Sequence, residues 1–365
     1  MRSLLIADVD LAVREAALLH RLVIGLLDAG VHVTLAAPLS VLDRIEPALG
    51  VEILPYRLRG GLWTRSIRVR DLLDRFRDAT SLSEGDEGLV HAFGGACLGF
   101  ASELASQAGY GLVLDLHARR DVERAVDIAS QHERRMLLAG SAPLARAAIA
   151  AGAEASAVRE RAWGVTVSAR ARPVPGEGMA TTLALGGPGR APRAWEAALR
   201  GIAKVASRHE QLNVFVDADG AASAGTGRLV GSLGLTPILS RVPDFEARRQ
   251  LVVQADILLW PERLGEIRSV VHDAMAQGSA VIAAQDAISP ALASPAHAAL
   301  VSDDPDDWSE AIEALVADPS RRLELGERAA AYTAEHHKAS AHISGILDAY
   351  EWCIGQGSIR IGHEP

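Results

Sequence analysis

Short runs of apolar residues alternate with longer stretches in which apolar positions recur every three or four residues, along almost the whole 365-residue chain. The short runs predict buried strands, and the longer stretches, such as 15–29, predict amphipathic helices. Strands are predicted in the first half at Leu4–Ala7, Val31–Ala36, Val51–Leu54, Leu89–Ala92, Leu112–Leu116 and Met136–Ala139. Those of the second half are Thr182–Leu185, Leu212–Val216, Pro237–Leu239, Ile257–Trp260, Ala280–Ala283 and Ala299–Val301. Two helices are predicted to follow, at Trp308–Ala317 and at Arg321–Cys353 with a break near His336.

Strands that alternate with helices predict βαβ units and parallel sheets. The segment "TVSARARPVPGEGMA", residues 166–180, interrupts this alternation with two prolines and two glycines, a composition typical of a linker. The fold class predicted is α/β, with two Rossmann-like domains, 1–165 and 181–335, facing each other across a cleft. Residues 336–365 are predicted to form a C-terminal helix and tail. One possible course of this helix is a return to the first domain. Ligands of such sheets bind beyond the carboxyl ends of the strands.

Composition narrows the function classes. Apolar residues make up 49% of the chain and charged residues 23%, which is typical of a globular protein. A net charge of −9 argues against a nucleic-acid partner. No apolar run approaches the ~20 residues that would span a bilayer, and the N-terminus is read as a strand, not a signal peptide. We therefore expect a cytoplasmic protein with at most peripheral membrane contact.

A glycine-rich turn, "GGPGRAPR" at 186–193, follows a predicted strand and precedes a predicted helix. Backbone amides around Gly186, Gly187 and Gly189, together with the helix N-terminus, could therefore hold a diphosphate. Lysine occurs only at two distant positions, so Arg190 and Arg193 are the nearby cations, and arginine can bind phosphate through two parallel hydrogen bonds. The alternative is a mobile Gly/Pro turn without a ligand.

The segment "PERLGEIRSVVHDAMAQGSAVIAA", residues 261–284, resembles a signature of the retaining glycosyltransferase family 4, the "glycosyl transferases group 1". That signature reads P-S-x-x-E-x-F-G, four residues, then E-A-M-A-x-G-x-P-V-V-A. "LVHAFGG" at 89–95, "GLVLDLHARRD" at 111–121 and "TTLALGGPGRAPRAWEAALRGIAKV" from residue 181 are similar to further family segments in the same order. The resemblance implies the GT-B architecture of two facing Rossmann-like domains.

The resemblance also implies roles for single residues. Asp273 stands where relatives have a glutamate that binds the donor's ribose hydroxyls, and its arm is shorter by about 1.5 Å; helix capping is its other interpretation. His117 stands where a histidine contacts the donor sugar, although a structural histidine fits there equally well. Gly265 replaces the first glutamate of the signature, so Glu266, one residue later, is the candidate for the missing acid. Arg268 replaces a glycine and would either reach for the phosphates or fill the sugar pocket.

Two functions follow from these expectations. The first is transfer of a hexose from a nucleotide diphosphate sugar to an unknown acceptor (a glycan, a lipid or a small molecule). The resemblance implies retention of configuration, and no metal or other cofactor is expected because no metal-binding cluster is visible in the sequence. The alternative is a catalytically inactive relative that binds nucleotide sugar or supports a partner enzyme. It is suggested by Gly265, by Arg268 and by the absence of the lysine that relatives carry a few residues after the turn 186–193. A nucleotide-sugar epimerase is a third, weaker option.

Overall fold

The computed structural model describes residues 1–44, 51–58, 64–80, 87–167 and 179–358. The chain divides into two compact units. One contains the described residues up to Gly164 and the helix that begins at Ala339, and the other is Val165–Lys338. The predicted return of the C-terminal helix to the first domain is thereby confirmed. Most of the predicted linker, 168–178, lies outside the described residues.

The described part of the first unit contains a seven-stranded parallel sheet in the order β3-β2-β1-β4-β5-β6-β7. Its strands are β1 (Arg2–Ala7), β2 (His32–Pro38), β3 (Glu52–Tyr56), β4 (Leu89–Phe93), β5 (Gly111–Leu116), β6 (Arg135–Ala139) and β7 (Val158–Glu160). Its helices are α1 (Val9–Arg14), α2 (Ala16–Asp28), α3 (Arg65–Thr80), α4 (Leu98–Ala108), α5 (Val122–Ala129) and α6 (Ala142–Ala150).

The second unit has, in its described residues, a six-stranded parallel sheet in the order β10-β9-β8-β11-β12-β13. The strands are β8 (Thr181–Leu185), β9 (Leu212–Asp217), β10 (Leu239–Val242), β11 (Ile257–Trp260), β12 (Ala280–Ala284) and β13 (Ala299–Val301). The helices are α7 (Pro192–Ala206), α8 (Ala218–Ser223), α9 (Gly227–Ser232), α10 (Arg249–Gln254), α11 (Ser269–Ala276), α12 (Pro290–Ala293), α13 (Pro305–Val316) and α14 (Pro319–His336). Helix α15 (Ala339–Ser358) then returns to the first unit.

Burial on both faces explains why the strands appear as continuous apolar runs. In β8, Leu183 and Leu185 pack into the apolar cluster that contains Trp195, whereas Ala184 between them packs into the cluster that contains Phe245. A parallel sheet covered by helices on both faces needs apolar residues at every strand position. The predicted α/β class with parallel sheets is therefore confirmed.

Tyr350 of α15 is hydrogen-bonded to two strands of the first sheet. The Ser3 hydroxyl lies 3.0 Å from the Tyr350 hydroxyl, and Nδ1 of His91 lies 2.9 Å from the same hydroxyl. Burial, and to a smaller extent the charge of His342, lowers the pKa of His91 to about 3, so its ring is neutral in this contact. His91 thus has a structural contact in the first unit.

Two strands differ from the sequence prediction. The short strand β7 was not predicted, because Val158–Glu160 is half exposed and carries no apolar run. Strand β10 begins at Leu239, where the predicted strand Pro237–Leu239 ends, since this exposed edge strand starts only after the turn that contains Pro237. In the described part of the chain, no helix has both the length and the apolar character needed to cross a membrane.

Candidate functional site

The two predicted donor-binding segments of the second unit lie side by side. The turn 186–193 follows β8, the loop 261–268 follows β11, and these two strands are neighbours in the sheet. The chain leaves β8 toward one edge of the sheet and later returns to build β11 on its other side. The carboxyl ends of two such strands form the crevice in which open α/β sheets bind ligands. The structure therefore places the candidate site at this crevice.

Glycine is required in the turn for steric reasons. A Cβ atom on Gly186 would lie 2.6 Å from the Phe245 ring, and one on Gly189 would lie 2.1 Å from the carbonyl oxygen of Gly220. Gly187 and Gly189 also have φ angles of +138° and +74°, which side chains other than glycine rarely adopt. The turn is therefore closely packed against its neighbours, and glycine at these positions has a structural reason that is independent of any ligand.

Glu262 accepts hydrogen bonds from backbone amides that the sequence predicts as donors to a diphosphate. Its carboxylate accepts hydrogen bonds from the backbone N–H groups of Gly189 and Ala191, both at 2.7 Å, and from the indole Nε1 of Trp195 at 3.0 Å. The side chain is buried, and the residue is only 1% exposed. The expectation that these two amides are available to a ligand is thus wrong for this structure, because a carboxylate of the chain itself takes their place.

Glu266, the candidate for the missing acid, is held between two arginines. One carboxylate oxygen accepts from Nε and Nη2 of Arg268, at 2.8 and 2.5 Å, and the other accepts from Nη1 of Arg190 at 3.0 Å. The side chains of Glu266 and Arg268 are buried, whereas that of Arg190 is 41% exposed. Arg268 therefore turns toward Glu266, an arrangement that neither predicted role for it had included.

Asp273 lies one turn inside α11, which begins at Ser269. The interpretation of Asp273 as a helix cap is therefore wrong, because the residues from Ser269 onward are already part of the helix. Arg249 reaches both of these residues, with Nε 3.0 Å from Oδ2 of Asp273 and Nη2 2.7 Å from the Ser269 hydroxyl. Sequence reasoning missed Arg249, because it lies on α10 outside every motif.

Two further positions complete the predicted set of this unit. Arg193 is exposed at the second residue of α7. Gly265, at the position of the missing glutamate, has a φ angle of +61°, and its N–H donates to Oδ2 of Asp286 at 2.8 Å. The backbone at this position is thus in the left-handed region, which disfavours a glutamate.

Three arginines and two carboxylates are paired around the start of α11. We call Arg190, Arg249, Arg268, Glu266 and Asp273 the arginine cluster; its three guanidinium groups and two carboxylates leave one net positive charge. The N-terminus of α11 adds a partial positive charge. Among the described residues, no three His, Cys, Asp or Glu side chains are grouped as a metal site would require. The cluster has the charge and donors to hold a phosphate group.

His117, the other predicted catalytic residue, belongs to the first unit and follows β5. It is 2% exposed, and its ring stacks on Trp163 with 5.4 Å between ring centroids. Trp163 in turn donates from Nε1 to the carboxylate of Asp115, at 3.1 Å from Oδ1. Burial raises the pKa of Asp115 to about 8, although the bond from Trp163 works against this shift. His117 is thus packed within a buried polar group, and its contact with a donor sugar stays a prediction.

Comparison with known proteins bears on the fold of the whole chain. No family model matches the chain. A D-inositol 3-phosphate glycosyltransferase from Corynebacterium kroppenstedtii is 29% identical over 183 residues, which are 46% of this chain and 39% of that protein. The chain therefore matches well under half the length of that relative.

Solved structures match over nearly the whole chain. HepE from Anabaena, in complex with UDP and glucose, superposes with a TM-score of 0.73 at 13% identity, covering 95% of this chain and 98% of HepE. A sucrose-phosphate synthase from Thermosynechococcus elongatus has a TM-score of 0.73 at 14% identity, covering 97% of this chain and 100% of the synthase. The two parallel-sheet α/β units of this chain therefore have the GT-B fold.

Proposed function

We propose that the protein binds a nucleotide diphosphate sugar and transfers its hexose to an acceptor with retention of configuration. The observation that carries the proposal is the arginine cluster at the start of α11, beside the ligand crevice of the second sheet. Its three guanidinium groups are pre-positioned by two carboxylates, so charge developing on a departing diphosphate would meet fixed donors. The GT-B fold, which HepE shares in complex with UDP and glucose, supports the same function.

The residues of the second unit would bind different parts of the donor. Arg190, whose side chain is 41% exposed, and Arg193 would contact the diphosphate, with Arg268 behind them. Asp273 would accept hydrogen bonds from the ribose. Metal-free catalysis, a cytoplasmic location and at most peripheral membrane contact belong to the same proposal. A glycan, a lipid or a small molecule could each be the acceptor.

A second candidate function is supported by a specific observation. The acidic side chains around the position of the missing glutamate already have partners: Glu262 holds the turn, and Glu266 is neutralised by arginines. Such carboxylates are poor candidates for stabilising positive charge on a sugar. This arrangement favours a catalytically inactive relative that binds a nucleotide sugar or supports a partner enzyme.

One pair of measurements tests both candidates. Calorimetry with uridine, guanosine and adenosine diphosphates and their glucose conjugates measures binding, and chromatography of released nucleoside diphosphate measures donor consumption. Binding with consumption supports the transferase, and binding without consumption of any donor supports the inactive relative. The absence of binding at millimolar concentration would contradict the transferase and the nucleotide-sugar-binding relative, and would leave only support of a partner enzyme.

A matched pair of variants locates the diphosphate. Replacing both Arg190 and Arg193 with alanine removes two cations from the candidate site, whereas Arg200→Ala removes one from the same helix, where Arg200 pairs with Glu196. We expect at least about tenfold weaker diphosphate binding in the double variant, since one charged hydrogen bond contributes roughly 1.5–3 kcal/mol. Unchanged affinity in the double variant would move the phosphate site elsewhere.

A further inference from the structure

Each of the two sheets has one crevice of the kind that binds ligands in open α/β folds, and each crevice contains a carboxylate of the chain itself. In the first unit the crevice lies between β1 and β4, and in the second between β8 and β11. Asp8 directly follows β1, and Glu262 follows β11. Both side chains accept hydrogen bonds from backbone N–H groups of the glycine-containing turn that follows the neighbouring strand.

Glu262 makes the more complete set of contacts. Its Oε2 lies 2.7 Å from the amide nitrogen of Gly189 and 3.0 Å from Nε1 of Trp195, and its Oε1 lies 2.7 Å from the amide nitrogen of Ala191. These donors converge from the turn and from the first residues of α7, whose partial positive charge favours an anion. A carboxylate therefore binds here as a free oxyanion would.

Asp8 repeats the arrangement in the first unit. Its Oδ2 accepts from the amide of Ala96, in the turn after β4, at 3.1 Å, and its Oδ1 accepts from the amide of Leu11 in α1 at 3.0 Å. A Cβ atom on Gly94 would lie 2.1 Å from the Asp8 carboxylate, so this glycine is needed for the close approach. The bond from Leu11 is the N-cap of the helix that Asp8 itself starts, so the contact with the turn of the neighbouring strand is what Asp8 shares with Glu262.

A phosphate cannot share the Glu262 site. Carboxylate and phosphate both need N–H donors, and the amides of Gly189 and Ala191 each bond Glu262 at a distance typical of a charge-assisted bond. A phosphate brought to the same donors would also be repelled by the buried carboxylate. The arginine cluster is different, because its net charge is positive and Arg190 is partly exposed.

We propose that Glu262 is a built-in anion that excludes phosphate from the backbone amides of the turn after β8 and so directs a donor diphosphate to the arginine side chains beside them. Glu262 is thus a specificity-determining residue: it decides whether a phosphate can use the amides of the turn or only the arginine side chains beside them. The second half of this statement rests on the proposed function. The first half, occupation of an oxyanion site by Glu262, holds whether or not the protein transfers sugar.

The test is chemical rescue of the full chain without any nucleotide. In Glu262→Ala the site is emptied, and we expect the melting temperature to fall and then to rise saturably with sodium formate or inorganic phosphate, compared with sodium chloride at equal ionic strength. We expect the variant to bind inorganic phosphate about tenfold or more tightly than the parent, because two charge-assisted bonds become available. Glu196→Ala, which removes an exposed carboxylate from α7, should show neither effect.

A second variant distinguishes an anion that fills the emptied Glu262 position from an anion that stabilises the whole protein. Glu262→Gln keeps the volume and one acceptor oxygen, so it should be less stable than the parent but leave no space for formate. The proposal would be overturned if formate or phosphate raised the melting temperature of Glu262→Gln as much as that of Glu262→Ala. It would also be overturned if the rise for Glu262→Ala did not exceed that for Glu196→Ala. If Glu262→Ala does not fold in sodium chloride, recovery on refolding with formate or phosphate supports the site, and no recovery with either anion opposes it. None of these measurements uses a nucleotide sugar, so failure of the proposed function would not change them.

Discussion

Arg268 donates two hydrogen bonds to Glu266, two residues before it in the chain, with Nε 2.8 Å and Nη2 2.5 Å from Oε1. In the family signature that the sequence resembles, a glycine stands at the position of this arginine. The substitution therefore does more than fill space, because it supplies a buried partner for the carboxylate that is nearest in sequence to the missing glutamate. Arg190, in the neighbouring turn, is the second arginine that bonds Glu266.

We predict that Glu266→Gln destabilises the second unit by about 3 kcal/mol, because removing one partner of a buried ion pair leaves the other charge uncompensated. Urea unfolding monitored by tryptophan fluorescence measures the change. Glu196→Gln, in an exposed pair with Arg200, is the control and should change stability by about 0.5 kcal/mol or less. Equal effects of the two substitutions would show that the Glu266 pair is not important for stability.

A catalytic role of Glu266 predicts an additional effect on turnover. If this carboxylate also offsets charge on the donor sugar, Glu266→Gln should lower donor consumption by ~10²–10³ at a temperature where the variant is folded. The comparison is Glu196→Gln, in the exposed pair with Arg200, assayed under the same conditions. Turnover by both variants at the parent's rate would refute the idea that Glu266 replaces the missing acid.

The sheets could be predicted from the sequence, whereas the contacts of the site could not. A parallel strand buried on both faces is a continuous apolar run, so Ile257–Trp260 and its neighbours are visible in the sequence alone. The partners that Glu262 and Glu266 have in the turn after β8, Gly189 and Arg190, lie 73 and 76 residues away along the chain. Such pairing depends on which strands become neighbours. Arg249 was missed for the same reason, since only the packing of α10 beside α11 brings it to Asp273.

The ribose contact of Asp273 predicts a preference among nucleotides. A charged hydrogen bond to a ribose hydroxyl contributes roughly 1.5–3 kcal/mol, so the parent should bind a nucleoside diphosphate about tenfold or more tightly than its 2′-deoxy analogue. Asp273→Asn should lose this preference. Calorimetry with the two ligands tests the prediction, and Asp256→Asn, near the opposite end of β11, serves as the control. A parent that binds both nucleotides equally would leave Asp273 with its structural partner Arg249 only.

The left-handed backbone at Gly265 predicts that a side chain there is costly. With φ at +61°, Gly265→Ala should destabilise the protein by about 1–2 kcal/mol. Gly231→Ala, in helix α9 with nothing within 4 Å of the added Cβ, should instead stabilise it by about 0.5–1 kcal/mol. Thermal unfolding compares the two. If Gly265→Ala is neutral, the absence of the glutamate at this position has no backbone cause, and Gly265→Glu becomes the variant in which to look for restored activity.

The buried Asp115 predicts that stability falls as the pH rises from about 4 to about 8. Burial raises the pKa of this carboxyl from 3.8 to about 8, so the folded protein keeps a proton that the unfolded chain loses near pH 4. Between these values the folded state binds more protons, and each pH unit lowers the free energy of unfolding by at most about 1.4 kcal/mol. Above pH 8 both states are deprotonated and this contribution becomes constant.

Asp115→Asn isolates this contribution, because asparagine still accepts the bond from Trp163 but has no proton to lose. We expect the variant to become progressively more stable than the parent from pH 5 to pH 8, as measured by urea unfolding at each pH. Asp348→Asn, at a side chain that is 69% exposed and paired with Arg161, should leave the pH profile parallel to that of the parent. A parallel profile for Asp115→Asn as well would mean that the carboxyl is ionised in the folded protein, and His117 and Trp163 would then surround a buried negative charge.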